Sequence, residues 1–239
     1  MLKALLLDLD GTLIDIDGDR FLEEYIERAA GWMEPLVAPE RFSQAVWTAA
    51  IPLMVTPHPG VSNKSVLWDA LSKALEVPGD RLLAHFEEQL HPDRLKSILP
   101  GGQARAGAQE LVELAGHLGL KRVVATMPIY PEVVVRERLA RGGLADIPWD
   151  FIATEEMDAV KPHPAYWEAV VRAAGVSAEE CLVVGDDFFR DIRPAPAASA
   201  TFYVGPEFKG LKTGPTGTLT DLAASLSLDS AVPAKGESG

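Results

Sequence analysis

Lys3-Ala4-Leu5-Leu6-Leu7-Asp8-Leu9-Asp10-Gly11-Thr12 decides the fold. Residues 3–9 form a nearly continuous apolar run that stops in acids and a glycine, as a strand buried on both faces reads. Further strand-like runs lie at Arg122–Thr126, Phe151–Thr154, Cys181–Gly185 and Thr201–Val204. Helix-compatible stretches separate them at Leu111–Leu118, Pro131–Leu139, Pro164–Ala174 and Asp191–Ala198. Strands alternating with helices predict an α/β fold, a doubly wound parallel sheet with right-handed crossovers that the opening strand must join.

Between that strand and the rest, residues 16–98 read as a small all-helical unit with no convincing strand. Asp19 can cap a helix with Leu22, Tyr25, Ile26 and Ala29 on one stripe, and Ser62 one carrying Val66, Leu67, Ala70, Leu71 and Ala74. A further helix follows Pro39 and should break near Pro52, and another follows Asp80. The expected division is a catalytic core at 1–15 and 99–228, a helical cap at 16–98 and a disordered tail at 229–239. Trp32, Trp47 and Trp68 are expected in the packing of the helical unit, and the histidines in surface or loop roles, with His58 kept as a candidate cap contact.

The 239 residues carry 22 Lys plus Arg against 35 Asp plus Glu, a net charge of −13. The acidity is not segregated: residues 16–99 hold 13 acids and 8 bases. No broad basic face is offered to nucleic acid or to anionic lipid, so neither is expected as a partner. No apolar stretch approaches the roughly 18 residues of a membrane helix. The single cysteine, Cys181, excludes an internal disulfide and opens an apolar strand, where burial is the default. With no secretory signal pattern at the start of the sequence, a cytoplasmic location is expected.

In an open parallel sheet, ligands bind outside the carboxyl ends of the strands. Polar residues gather at those ends: Asp8 and Asp10, Thr126, Lys161-Pro162, and Gly185-Asp186-Asp187 with Asp191 just beyond. Asp8 and Asp10 lie two apart and share one face of an extended chain, and Gly11 permits a turn that aims both into a pocket. A carboxylate can attack phosphorus, but charge repulsion opposes the attack unless cations offset it. Asp8 and Asp186 offer hard oxygen ligands for Mg2+, and Lys161 a fixed positive charge. Taken alone, Asp-Leu-Asp-Gly-Thr is equally readable as a turn, Thr126 as an unremarkable strand-end threonine and Lys161 as a surface lysine. Their order at successive strand ends raises them above that.

This order resembles the haloacid dehalogenase superfamily, mostly phosphatases, over the whole core. Asp8-Leu9-Asp10-Gly11-Thr12 looks like the first motif, Thr126 the second, Lys161-Pro162 the third and Gly185 to Asp191 the acidic fourth. The helical unit sits where members with a cap after the first motif carry it. The resemblance implies Asp8 as nucleophile, Asp10 as general acid and base with its main-chain oxygen on the metal, and Thr126, the Met127 N–H and Lys161 on the phosphoryl group. It implies Mg2+ on Asp8, Asp10 and Asp186, with support from Asp187 or Asp191 left open. Dehalogenating members lack the second acid, so Asp10 favours phosphoryl transfer. Met127 and His163 depart from residues often found at these positions.

The expected activity is hydrolysis of a small phosphorylated metabolite through an aspartyl phosphate on Asp8. A phosphomutase, a receiver-like signalling module and a non-catalytic phosphate-binding protein are the alternatives. A receiver takes its aspartate from a middle strand and has no helical unit after the first, whereas here the acid pair opens the chain. Neither the substrate nor the oligomeric state is readable.

Overall fold

A computed structural model describes residues 1–98, 101–206 and 214–231. A six-stranded sheet has the order β3-β2-β1-β4-β5-β6, all pairs parallel. The opening strand, β1 (Ala4–Leu7), lies inside it between β2 (Lys121–Val124) and β4 (Cys181–Gly185). The outer strands are β3 (Phe151–Ile152), β5 (Ala200–Val204) and β6 (Thr216–Gly217).

Alternation along β1 sorts the core. Leu5 and Leu7 join one apolar cluster with α6 (Ala108–His117), α7 (Glu132–Arg141) and α9 (Leu219–Ala231). Ala4 and Leu6 join another with Tyr166, Trp167 and Val170 of α8 (Pro164–Ala174). Helices on both faces explain why β1 is apolar at every position.

Helices α1 (Gly18–Trp32), α2 (Pro39–Val55), α3 (Asn63–Leu75), α4 (Gly79–Gln89) and α5 (Pro92–Lys96) fill the interval between β1 and α6, with no strand among the described residues there. Their core is continuous with the first cluster: Phe21, Tyr25, Trp68 and Phe86 belong to it. The chain enters and leaves this insert side by side, with Asp15 N–H donating to Gln103 O at 2.8 Å and Arg105 N–H to Leu13 O at 2.9 Å. A second tie lies opposite. His58 N–H donates to Asp158 O at 3.0 Å, and Asn63 N–H to Met157 O at 2.7 Å. The buried Asn63 side-chain amide donates to Pro128 O at 3.0 Å and Ala159 O at 3.1 Å.

Several expectations shift. Asp17, not Asp19, caps α1, accepting from Asp19 N–H at 3.1 Å and Arg20 N–H at 3.0 Å. Ser62 caps α3 as expected, accepting from Ser65 N–H at 3.2 Å. Helix α2 runs through Pro52 to Val55, since a proline in the last turn gives up only one donor. No helix fills 191–198: a single wide turn at Phe188–Ile192 ends there because Pro194 and Pro196 have no N–H to continue it. Residues 229–231, assigned to the tail, extend α9, and 232–239 lie outside the described residues. Leu99, at the expected boundary, also lies outside them. Cys181 is buried, and Trp68 with it, whereas Trp47 is 43% exposed. Among the described residues, no helix is long and apolar enough to cross a membrane.

Candidate active site

Beyond the carboxyl end of β1 the chain turns at Gly11, whose φ is +79°. A side chain there would run into the Asp186 carboxylate, so glycine lets two strand ends approach. Gly185 does the same for Asp191, whose carboxylate lies where a Cβ would be. Asp8, Asp10, Thr126, Met127, Lys161, Asp186, Asp187 and Asp191 all line one cavity of ≈ 520 Å³, so the candidate catalytic, phosphate-binding and metal residues converge on it.

Lys161 is buried and reaches both Asp8 Oδ1 and Asp191 Oδ1 at 2.6 Å. Burial opposes its charge, but Asp191 and Asp8 more than offset this and hold the ammonium above its ordinary range. Its charge also lies 5.2 Å from the Trp167 ring centroid and 5.8 Å from that of Tyr166. The Thr12 hydroxyl stands 3.1 Å from Asp8 Oδ2 and 2.9 Å from Asp186 Oδ1, and accepts from Asp186 N–H at 3.0 Å. Burial, then the neighbouring Asp8, pushes the Asp186 carboxyl up to about 6.

Asp10 points elsewhere than Asp8. One oxygen pairs with Arg138, while Oδ1 is buried without a partner. Burial raises its proton affinity in spite of Arg138. Arg138 of α7 is fully buried, its guanidinium 4.3 Å from the Tyr130 ring centroid and 4.8 Å from that of Phe21. Thr126 is buried, and its carbonyl accepts from the Tyr166 hydroxyl at 2.8 Å.

Asp8, Asp186 and Asp191 each present an oxygen, all within 4.8 Å of one another. Three hard oxygen donors in one cluster suit a divalent cation such as Mg2+ and offer nothing to a soft metal. The side chain of Asp10 is outside this group, turned to Arg138. Asp187 is occupied otherwise, accepting from Phe189 N–H at 2.8 Å and Arg190 N–H at 2.9 Å as a cap. His163 also caps, its Nδ1 accepting from Ala165 N–H at 3.1 Å at the start of α8.

Thr12, Arg138 and Tyr166 were not singled out from the sequence. Thr12 stood in the quoted motif, and its place beside two acids was the available signal. Arg138 and Tyr166 reach the site across the fold and leave no local pattern.

A family model for haloacid dehalogenase-like hydrolases matches residues 2–199. The chain is 30% identical over 207 residues to phosphoglycolate phosphatase of Rhodospirillum rubrum, covering 85% of this chain and 79% of that protein. It is 28% identical over 225 residues to phosphoserine phosphatase of Thermus thermophilus, covering 82% and 86%. Its fold is similar to the crystal structure of 2-haloacid dehalogenase from Pseudomonas syringae pv. Tomato DC3000, with a TM-score of 0.61 at 22% identity and coverage of 95% and 99%. With the motif residues gathered on one cavity and the match spanning most of its length, the chain belongs to the haloacid dehalogenase-like hydrolases and is an enzyme of that family.

Proposed function

We propose that this hydrolase is a phosphatase that cleaves small phosphate monoesters through an aspartyl phosphate on Asp8. The observation that carries the reading is the pairing of two differently held carboxylates on one cavity. Asp8 is fixed by Lys161 at 2.6 Å, and Asp10 keeps a free oxygen and a raised proton affinity. The phosphatase names of the relatives support it.

In the first half-reaction an Asp8 oxygen attacks phosphorus, the P–O bond to the leaving group breaks, and Asp10 gives its proton to the departing alkoxide. In the second, Asp10 takes a proton from water, the hydroxide attacks phosphorus, the Asp8–phosphorus bond breaks and phosphate leaves. Lys161 balances charge beside the phosphoryl oxygens, with the Thr126 hydroxyl and the Met127 N–H as donors. Asp8, Asp186 and Asp191, with the main-chain oxygen of Asp10, would hold a divalent cation, Mg2+ by donor hardness, whose charge eases approach of one anion to another. Asp187 would support that site from behind through the turn it caps.

We assign residues 1–15 and 99–228 to the catalytic core and 16–98 to a cap that shields the reaction from bulk water. The substrate is a phosphorylated metabolite, and a cytoplasmic location accords with a lone buried cysteine. Phosphate release from an aryl phosphate in the presence of Mg2+ tests the reading. Asp8→Asn and chelation by EDTA should each reduce turnover by on the order of 10⁴-fold or more. Turnover that survives Asp8→Asn would sink it, and phosphoryl return to a second substrate hydroxyl would make the enzyme a mutase.

A further inference from the structure

The two walls of the active-site cavity differ in chemistry. The insert contributes Leu22, Ile26, Val46, Trp47, Ile51 and Leu67. Among the described residues, it places no basic side chain on the cavity, and its ionisable groups there besides Tyr25 are Asp17 and Asp19. The basic residues that line the cavity, Lys161 and Arg190, both come from the core side. Lys161 is committed to Asp8 and Asp191. Arg190 is held by Asp19 at 3.0 Å and faces Asp187 at 3.6 Å.

The space of ≈ 520 Å³ far exceeds a phosphoryl group. It falls within the roughly 300–1,000 Å³ of pockets that enclose whole small molecules. Trp47 and Ile51 remain 43% and 64% exposed, apolar area that a bound group would cover. A leaving group with its own carboxylate would meet Asp15, Asp17 and Asp19 and an aliphatic wall, with no uncommitted cation among the described lining residues. Burying an anion in such surroundings is unfavourable, whereas covering apolar surface is favourable.

We propose that the leaving group of the substrate is an uncharged, predominantly apolar alcohol or phenol, at least the bulk of a phenyl ring or a hexyl chain, seated against α1, α2 and α3. This rests on the phosphate-monoester reading and sets the enzyme apart from the carboxylate-bearing compounds in the names of its relatives. The reaction is unchanged in its balance: the P–O bond breaks, the apolar alkoxide takes the Asp10 proton, and water supplies the hydroxyl that completes phosphate.

The test has a kinetic and a binding arm. Turnover of n-alkyl phosphates from methyl to octyl is measured beside 2-phosphoglycolate and phosphoserine, with Asp8→Asn as the blank. The kcat/KM should rise about three- to fourfold per methylene up to hexyl, from the free energy of burying each. Both carboxylated substrates should fall about 100-fold or more below hexyl phosphate. Trp47→Ala, an exposed position, should cut the hexyl-over-methyl preference by about tenfold. In the binding arm, calorimetry compares n-hexylphosphonate with phosphonoacetate on the unmodified enzyme, and the hexyl compound should bind more tightly. Asp8-dependent turnover that is flat along the series, or greatest for a carboxylated substrate, overturns the apolar assignment and leaves the phosphatase reading intact. Selective binding of hexylphosphonate without turnover of any ester upholds the apolar pocket and overturns the phosphatase reading. Neither turnover nor selective binding overturns both.

Discussion

The core side of the cavity and the insert side are built on opposite rules. On the core side nearly every polar group is held twice: Lys161 by Asp8 and Asp191, Thr12 between Asp8 and Asp186, Asp187 by two backbone donors. On the insert side the cavity wall, apart from Asp17 and Asp19, is aliphatic and aromatic, and Trp47 and Ile51 are left partly exposed. Charged groups in a low-dielectric site must be positioned before the substrate arrives, because reorganising them later consumes the advantage they confer. An apolar wall has no such demand. It can differ between relatives without disturbing the chemistry opposite, which is how one core comes to serve many substrates.

The sharpest way to break this contrast is at Asp10, the proposed acid and base, which is only half held. Asp10→Asn retains the shape and removes the exchangeable proton, so kcat should fall by about 100-fold to 10,000-fold. Burst kinetics with an aryl phosphate, whose leaving group needs little protonation, should show the second half-reaction suffering more than the first. An unchanged steady-state rate would remove Asp10 from the chemistry.

Behind the cavity Arg138 bridges the two regions, pairing with Asp10 while its guanidinium lies against Phe21 of the insert and Tyr130 of the core. Arg138→Met would leave the largely buried Asp10 carboxyl without its partner. Removing one member of a buried pair typically costs about 3–5 kcal/mol, read as a lower midpoint in urea unfolding. A midpoint that does not move would show that the two regions are not joined through this residue.

The smallest effect concerns Glu155, where the insert meets the core. It lies 3.7 Å from Lys64 of α3, with Glu156 beside it, Glu87 of α4 opposite and Tyr25 of α1 near enough to feel its charge. Burial, opposed by Lys64, pushes its carboxyl up to about 7 from an ordinary 4.5. Between those values the folded chain keeps a proton that the unfolded chain has released. Its contribution to stability is therefore full below about 4.5 and lost as the pH rises through 7. Glu155→Gln should thus raise Tm relative to the parent more at pH 8 than at pH 5, by a few degrees for a domain of this size. An equal difference at both pH values would show that Glu155 does not titrate in this window.

What was legible in the sequence follows from how far each signal reaches. Strand β1 and helix α8 announce themselves through an uninterrupted apolar run and a 3.6-residue stripe, both local. Asp8 and Asp186 were legible because each directly follows a strand, and strand ends of a parallel sheet share one edge, while Lys161 was legible only through its order in a loop between them. Arg138 was not, since nothing in Val135-Arg136-Glu137-Arg138-Leu139 distinguishes the buried arginine from its exposed neighbour Arg136. Asn63 was equally silent: its amide is spent on two carbonyls 65 and 96 residues away. The choice between Asp187 and Asp191 turned on side-chain direction in one wide turn, which spacing alone does not fix.

The internal position of β1 also sets an order of assembly. Ala4 pairs with Lys121 on one side and Cys181 on the other, while the insert makes most of its contacts within residues 18–96. Closing long loops before any contact rewards them is slow, and short-range helix pairs form first. Asp8 and Asp10 therefore wait at the end of a strand that gains its second neighbour only once the chain through Gly185 has been made. During synthesis the helix pairs can gather early, but a chain truncated before β4 would leave β1 with β2 as its sole neighbour and the cavity without Asp186 and Asp191.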